Sequence, residues 1–199
     1  PPPAGTPAIT RSEAGAVPPP VSRKIDWRPS AARREGFPHF MLKEIFEQPD
    51  ALMRAVAPRL VNGLADFAAD GVPDAAFDGV SEVIAVACGT AMHAALAARD
   101  FFERVAGVPM RVEVASEFRY RDPLVAPNAL ALVISQSGET ADTIAALRLC
   151  RKLNARTLAV VNVRGSTVAR EADWALLTQA GPEIAVASTK AFTTQMAVL

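Results

Sequence analysis

Apolar residues in this chain gather in short runs, and polar turns separate them. Residues 130–134, LALVI, form one such run, the pattern of a strand buried on both faces of a parallel sheet. It stops at Ser135, where a polar stretch of Ser135, Gln136, Ser137, Gly138, Glu139 and Thr140 begins. Ile144, Ala145, Leu147 and Leu149 then recur at helical spacing, which predicts a helix over 141–152. The same alternation predicts a strand over 83–87 with a helix over 91–105, and a strand over 110–114 with a short helix over 117–120. It continues with a strand over 157–161 and a helical turn over 168–171, a strand over 174–178, and a final helix over 187–199. Strands alternating with helices imply an α/β fold, a doubly wound parallel five-stranded sheet with helices on both faces, and right-handed crossovers leave little choice of topology.

Ahead of the sheet, residues 39–48 read as a short helix with Phe40, Ile45 and Phe46 as its apolar side. A second helix starts at Asp50 and runs through Leu52, Val56, Leu60 and Leu64, bent near Pro58. Residues 1–23 carry PPPAGTP and VPPPVS without an amphipathic period and read as a linker. Residues 24–36 are polar and irregular, with Trp27 the one anchor able to bury much area. Pro1 in place of Met, and a helical pattern running to Leu199 with no stop signal, read as a fragment. Phe192, Met196, Val198 and Leu199 are then expected to lack cover and to promote association.

Charge narrows the partners. Lys plus Arg and Asp plus Glu are each 21, so the formal net charge is zero and neither nucleic acid nor a membrane surface is indicated. Cys88 and Cys150 lie far apart without a CxxC pattern, which argues against a disulfide framework or a zinc site and fits a reducing cytoplasm. No apolar run approaches the roughly 20 residues that span a bilayer.

Chemistry concentrates in three polar turns at predicted strand ends, around 89–91, 135–140 and 186–188, where ligands of parallel sheets bind. Ser135, Gln136, Ser137 and Thr140 stand where the exposed N–H groups and positive dipole end of a helix would meet a phosphate. The same residues equally suit ordinary helix capping, and the residues alone leave both readings open. The turn ACGTAMHA has one glycine where a dinucleotide fingerprint needs three, and no GxxxxGK[ST] occurs, so nucleotide binding is disfavoured. His39 and His93 are the only histidines, and two lone imidazoles make no metal site. Cys88 is assigned to packing, and Arg99, Glu103 and Arg104 to a solvated helix face. Glu139 is either a base or a first-turn carboxylate complementing the helix dipole.

Four stretches, ACGT at 87–90, VEVASEFRYR at 112–121, SQSGETADT at 135–143 and VASTKAFTTQ at 186–195, together with HFMLKEIFEQP at 39–49, resemble the isomerase part of the glutamine–fructose-6-phosphate aminotransferase family. SQSGET alone indicates the wider sugar isomerase (SIS) class; SEFRYR, HFMLKEI and ASTKAFTTQ narrow the resemblance, which covers about residues 24–199.

That resemblance implies that a first SIS domain over 80–199, truncated in its last helix, holds fructose 6-phosphate or glucosamine 6-phosphate. Ser135, Gln136, Ser137 and Thr140 take the phosphate, while Thr90, Ala91, Val186 and Ser188 face the sugar. Position 91 is often Ser in the family, so Ala91 is expected to lack one hydroxyl contact. Residues 24–79 become a helical lead-in, and 1–23 the tail of a glutaminase domain plus linker. Glutamine is handled only by that absent domain. The isomerisation base, ring-opening His and Schiff-base Lys belong in or after a second SIS domain, so no catalytic residue, cofactor or metal is expected here. The resemblance further implies a homodimer through the isomerase domains of the whole enzyme. The competing expectation is a stand-alone SIS module that binds a sugar phosphate in a regulatory role; a purely structural α/β scaffold is weakened by hydroxyl-bearing turns at strand ends.

Overall fold

The computed structural model describes residues 32–199; the linker expected over 1–23 and the Trp27 anchor lie outside the described residues. Helices α1 (Phe40–Phe46) and α2 (Gln48–Val56) come first. The second predicted helix is too long. It ends at Val56, Pro58 sits in a single 3-10 turn (Ala57–Arg59), and the chain folds into a small hairpin of β1 (Leu60–Val61) and β2 (Leu64–Ala65). Asn62 and Gly63 supply positive φ of 53° and 79° at its tip, the turn chemistry that lets two short strands reverse. The leucines at 52, 60 and 64 mimic a helical stripe across that turn, and Leu60 and Leu64 are in fact exposed.

The main sheet follows: β3 (Val83–Ala87), β4 (Met110–Val114), β5 (Leu130–Ser135), β6 (Arg156–Val161) and β7 (Trp174–Leu177), in the order β4-β3-β5-β6-β7. All neighbouring strands in it pair in parallel. β3 and β5 are buried at every position, as strands covered on both faces must be. The crossover helices are α3 (Gly89–Phe101), α4 (Ala115–Phe118), α5 (Ala141–Lys152) and α6 (Thr167–Glu171), and α7 (Lys190–Val198) closes the chain. α3 runs on through a π-helical turn (Phe102–Ala106) that Gly107 ends with φ 66°. α4 starts two residues earlier than predicted, which puts Phe118 fully inside and leaves Tyr120 in solvent.

Alternate residues of each strand face opposite sides. Val83, Ala85, Leu132, Ile134 and Val160 pack against Ala55 of α2, Ala95 of α3 and Val198 of α7. Ile84, Val86, Val133 and Val161 pack against Phe118 of α4, Leu147 and Cys150 of α5 and Val168 of α6. Each such Val, Leu or Ile contributes about 1.5–3 kcal/mol by leaving water, and alanines on the helices let them sit close to the sheet.

Two further expectations change. The side of α1 turned inward is the charged one: Lys43 and Glu44 are 2% exposed, whereas Ile45 and Phe46 are exposed. At the other end α7 starts at Lys190 and not at 187. Val198 and Leu199 pack into the core there and Phe192 is half-buried, leaving Met196 as the exposed member of the apolar set thought to lack cover. The reason is packing of α7 against both α2 and α3.

Candidate functional site

The chain leaves β3 toward β4 on one side and returns to β5 on the other. Such a switch in direction opens a crevice at the carboxyl ends of the two strands, where ligands of open α/β sheets bind. A cavity of about 160 Å³ lies there. Cys88, Thr90 and Ala91 line it from the turn into α3, and Ile134, Ser135, Gln136, Ser137, Thr140 and Thr143 from β5, its loop and α5; Gln195 of α7 completes the wall.

The loop at 135–140 is built by its own polar groups. Ser135 pairs with Val161 at the end of β5, and its hydroxyl accepts the Gly138 N–H at 3.0 Å and lies 3.5 Å from the Thr140 hydroxyl. The Ser137 hydroxyl accepts the Glu139 N–H at 3.2 Å. Thr140 occupies the N-cap position of α5, yet its side chain makes no capping bond. Ordinary capping, one of the two readings of this loop, is not realised at Thr140, and the Ser137 hydroxyl closes a local turn instead. The start of α5 is left without a side-chain acceptor, and it opens on the cavity as a helix end that favours an anion.

Three bonds tie the loop to the segment after β6. Gln136 O accepts the Asn162 N–H at 3.1 Å and Gly138 O the Val168 N–H at 3.0 Å. A Glu139 carboxylate oxygen accepts the Thr167 N–H at 2.7 Å. That last bond holds the Glu139 carboxyl below its ordinary range, so the group is an ionised tether at the start of α6.

The third predicted turn is arranged differently. Val186 is fully exposed and Ser188 is half-buried, its hydroxyl donating to Glu183 at 3.3 Å; neither lines the cavity. Glu183 accepts the N–H groups of Thr189 at 2.8 Å and Ala191 at 3.2 Å, which delays the start of α7. Upstream, Glu44 of α1 accepts the N–H groups of Ile184 at 2.6 Å and Ala185 at 3.1 Å. Two carboxylates therefore hold both ends of the segment that carries Val186 and Ser188.

Ala91, 7% exposed, lines the cavity with a methyl group where a serine would add a hydroxyl. Cys88 is half-buried at the cavity wall, while burial pushes the Cys150 thiol up to about 12 and makes it inert. His39 and His93 are exposed, and no group of three His, Cys, Asp or Glu able to hold a metal occurs among the described residues. No described helix is long and apolar enough to cross a membrane. A larger, open cleft of about 350 Å³ lies beside Asp70, Arg164 and Arg170, where Arg170 is engaged by Gly165 O and the Thr167 hydroxyl. Thr143 is a cavity residue that sequence reasoning did not single out, and Gln195 is another. Its signal is an amide at position 195 of an otherwise inward stripe with Ala191 and Val198.

Fold and cavity together define a doubly wound α/β module with an anion-favouring crevice at its switch point. The chain belongs to the SIS domain family, whose family model matches residues 79–199. It is 54% identical over 182 residues to the isomerizing glutamine–fructose-6-phosphate aminotransferase of Symbiobacterium thermophilum, covering 90% of this chain and 30% of that protein. Among solved structures, the C-terminal domain of glucosamine-fructose-6-phosphate aminotransferase from Francisella tularensis superposes with a TM-score of 0.80 at 44% identity, over 84% of this chain and 47% of that one. Glucosamine-6-phosphate deaminase from Thermotoga maritima follows with a TM-score of 0.64 at 25% identity, over 80% of this chain and 48% of that one. The chain thus spans less than a third of the length of the curated relative it matches.

Proposed function

We propose that this chain is the fructose 6-phosphate-binding part of an enzyme that converts fructose 6-phosphate and glutamine into glucosamine 6-phosphate and glutamate. The observation that carries the reading is the uncapped start of α5, where the Thr140 hydroxyl is spent on no helix N–H and faces a cavity shared with Ser135 and Ser137. A phosphate dianion fits such a cradle because it accepts from hydroxyls and backbone N–H groups alike. In this reading residues 80–199 are the first SIS domain, 24–79 its lead-in and 1–23 a linker from a glutaminase domain. The chain supplies binding and the rest of the enzyme supplies the chemistry, as a homodimer in the cytoplasm. The names of the similar proteins support the substrate, since both involve a hexosamine or fructose 6-phosphate.

Thr140→Ala in the full-length protein should weaken fructose 6-phosphate binding about tenfold or more, since a hydrogen bond to a charged group contributes about 1.5–3 kcal/mol and 1.4 kcal/mol is a factor of ten. Binding of unphosphorylated fructose should hardly change. Cys88→Ala should leave both intact, because that side chain offers the cavity only a small weakly polar surface. Titration calorimetry reads all of these, and equal losses for phosphorylated and unphosphorylated sugar would sink the assignment.

A further inference from the structure

Gln195 is 1% exposed and belongs to the wall of the switch-point cavity. Its Oε1 is buried without a hydrogen-bond partner, an uncommon and costly state for an amide oxygen. Its neighbours on α7 do not share that state. The Thr194 hydroxyl donates to Lys190 O at 2.8 Å, and that of Thr193 donates to the same oxygen at 3.1 Å. The helix satisfies its hydroxyls on its own backbone and leaves the Gln195 acceptor buried and unpartnered in a side chain that lines the cavity wall.

The chemistry of that acceptor restricts what can meet it. An amide oxygen accepts and does not donate, and the dianion of a sugar phosphate monoester likewise offers only acceptor oxygens. The two repel. The donor that Gln195 Oε1 requires is therefore a hydroxyl on the part of the ligand that is not phosphate. We propose that Gln195 is a specificity-determining residue that accepts a hydrogen bond from a hydroxyl of the bound sugar while the 135–140 loop holds the phosphate. This rests on the sugar-phosphate reading above and adds a division of labour. The β5–α5 side of the cavity binds the anion, and α7 distinguishes a polyhydroxylated phosphate ester from phosphate alone.

The test is calorimetric titration of the full-length protein with fructose 6-phosphate and, separately, with inorganic phosphate. Gln195→Met, close to the native side chain in length, removes the amide. It is expected to weaken fructose 6-phosphate about tenfold and leave inorganic phosphate unchanged, whereas Thr140→Ala weakens both. No loss in Gln195→Met, or equal loss for both ligands, overturns the proposal. Gln195→Glu keeps the shape and carries the test should the Met variant not fold. Its carboxylate shares the cavity with the bound dianion and is expected to weaken both ligands by repulsion; phosphate binding equal to wild type overturns the assignment. A wild-type protein that binds neither ligand refutes the sugar-phosphate reading itself. Wild-type binding of both with an unaffected Gln195→Met refutes only the role of Gln195.

Discussion

Replacing Glu47 by alanine is expected to lower the unfolding free energy by about 3 to 5 kcal/mol, the usual consequence of stranding a buried charge. One carboxylate oxygen of Glu47 lies 2.5 Å from Lys190 Nζ and the other 3.5 Å from Lys43 Nζ. Both lysines are 2% exposed. Lys43 keeps other partners, donating to Arg33 O at 2.6 Å and pairing with Glu35 at 3.3 Å. Lys190 has no second carboxylate within ion-pair distance among the described residues, so the loss falls on it. Urea unfolding followed by circular dichroism measures the effect. A double variant, Glu47→Leu with Lys190→Met, should recover most of the stability, because apolar replacement of a whole buried pair is often neutral. A loss in Glu47→Ala within about 0.5 kcal/mol, the range of ordinary surface changes, would mean that Lys190 finds water instead. The pair joins α1 and α2 to the first turn of α7, one turn before Gln195.

The middle of the central sheet was legible because β3 and β5 are buried on both faces. The apolar runs at 83–87 and 130–134 have no alternative as amphipathic helices, and β3 falls on its predicted bounds while β5 gains only Ser135. α5 matches too, since Thr140 to Ala141 marks a clean change from polar loop to helical spacing. Periodicity failed where apolar spacing continued across a turn, as at Leu60 and Leu64. There the Asn62-Gly63 pair was the stronger signal, because it sets the backbone and the leucines only decorate it.

Burial of charge escaped the sequence for a different reason. Lys43 and Glu44 look like the solvent side of α1 under any hydropathy rule. Lys43 is held by Arg33 O, Glu35 and Glu47, while Glu44 turns inward because residues about 140 positions away supply its partners, the Ile184 and Ala185 N–H groups. Local pattern carries no information about such distant partners. The same holds at the cavity. Thr90, Ala91, Ser135, Gln136, Ser137 and Thr140 come together because each follows a strand end of one switch point, which topology alone implies. Gln195 enters from a helix whose packing angle no strand end dictates, and the path of the chain around Val186 and Ser188 depends on Glu44 and Glu183.

Gly138→Ala is expected to disable the loop proposed to hold the phosphate and cost about 2 to 4 kcal/mol of stability, combining left-handed backbone strain with overpacking. Gly138 has φ 65°, and a β-carbon placed on it would lie 2.1 Å from Ser166 Oγ and 2.6 Å from Ser166 Cβ. Rotating the serine can move Oγ but not Cβ, so one backbone must yield. Ser166 is 3% exposed and leads into α6, whose Val168 N–H is held by Gly138 O at 3.0 Å. Movement there also releases the Gly138 N–H from Ser135 Oγ and shifts the hydroxyls that define the cradle. Fructose 6-phosphate and inorganic phosphate should both lose at least about tenfold in affinity, each displaced donor contributing as a charge-assisted bond. Adding Ser166→Gly in the same chain removes the colliding side chain but leaves the positive φ. It should therefore restore about 1 to 3 kcal/mol, the overpacking part alone. Urea unfolding and titration of the single and double variants separate the two contributions. A Gly138→Ala protein with wild-type stability and wild-type phosphate affinity would refute the fixed geometry of this loop.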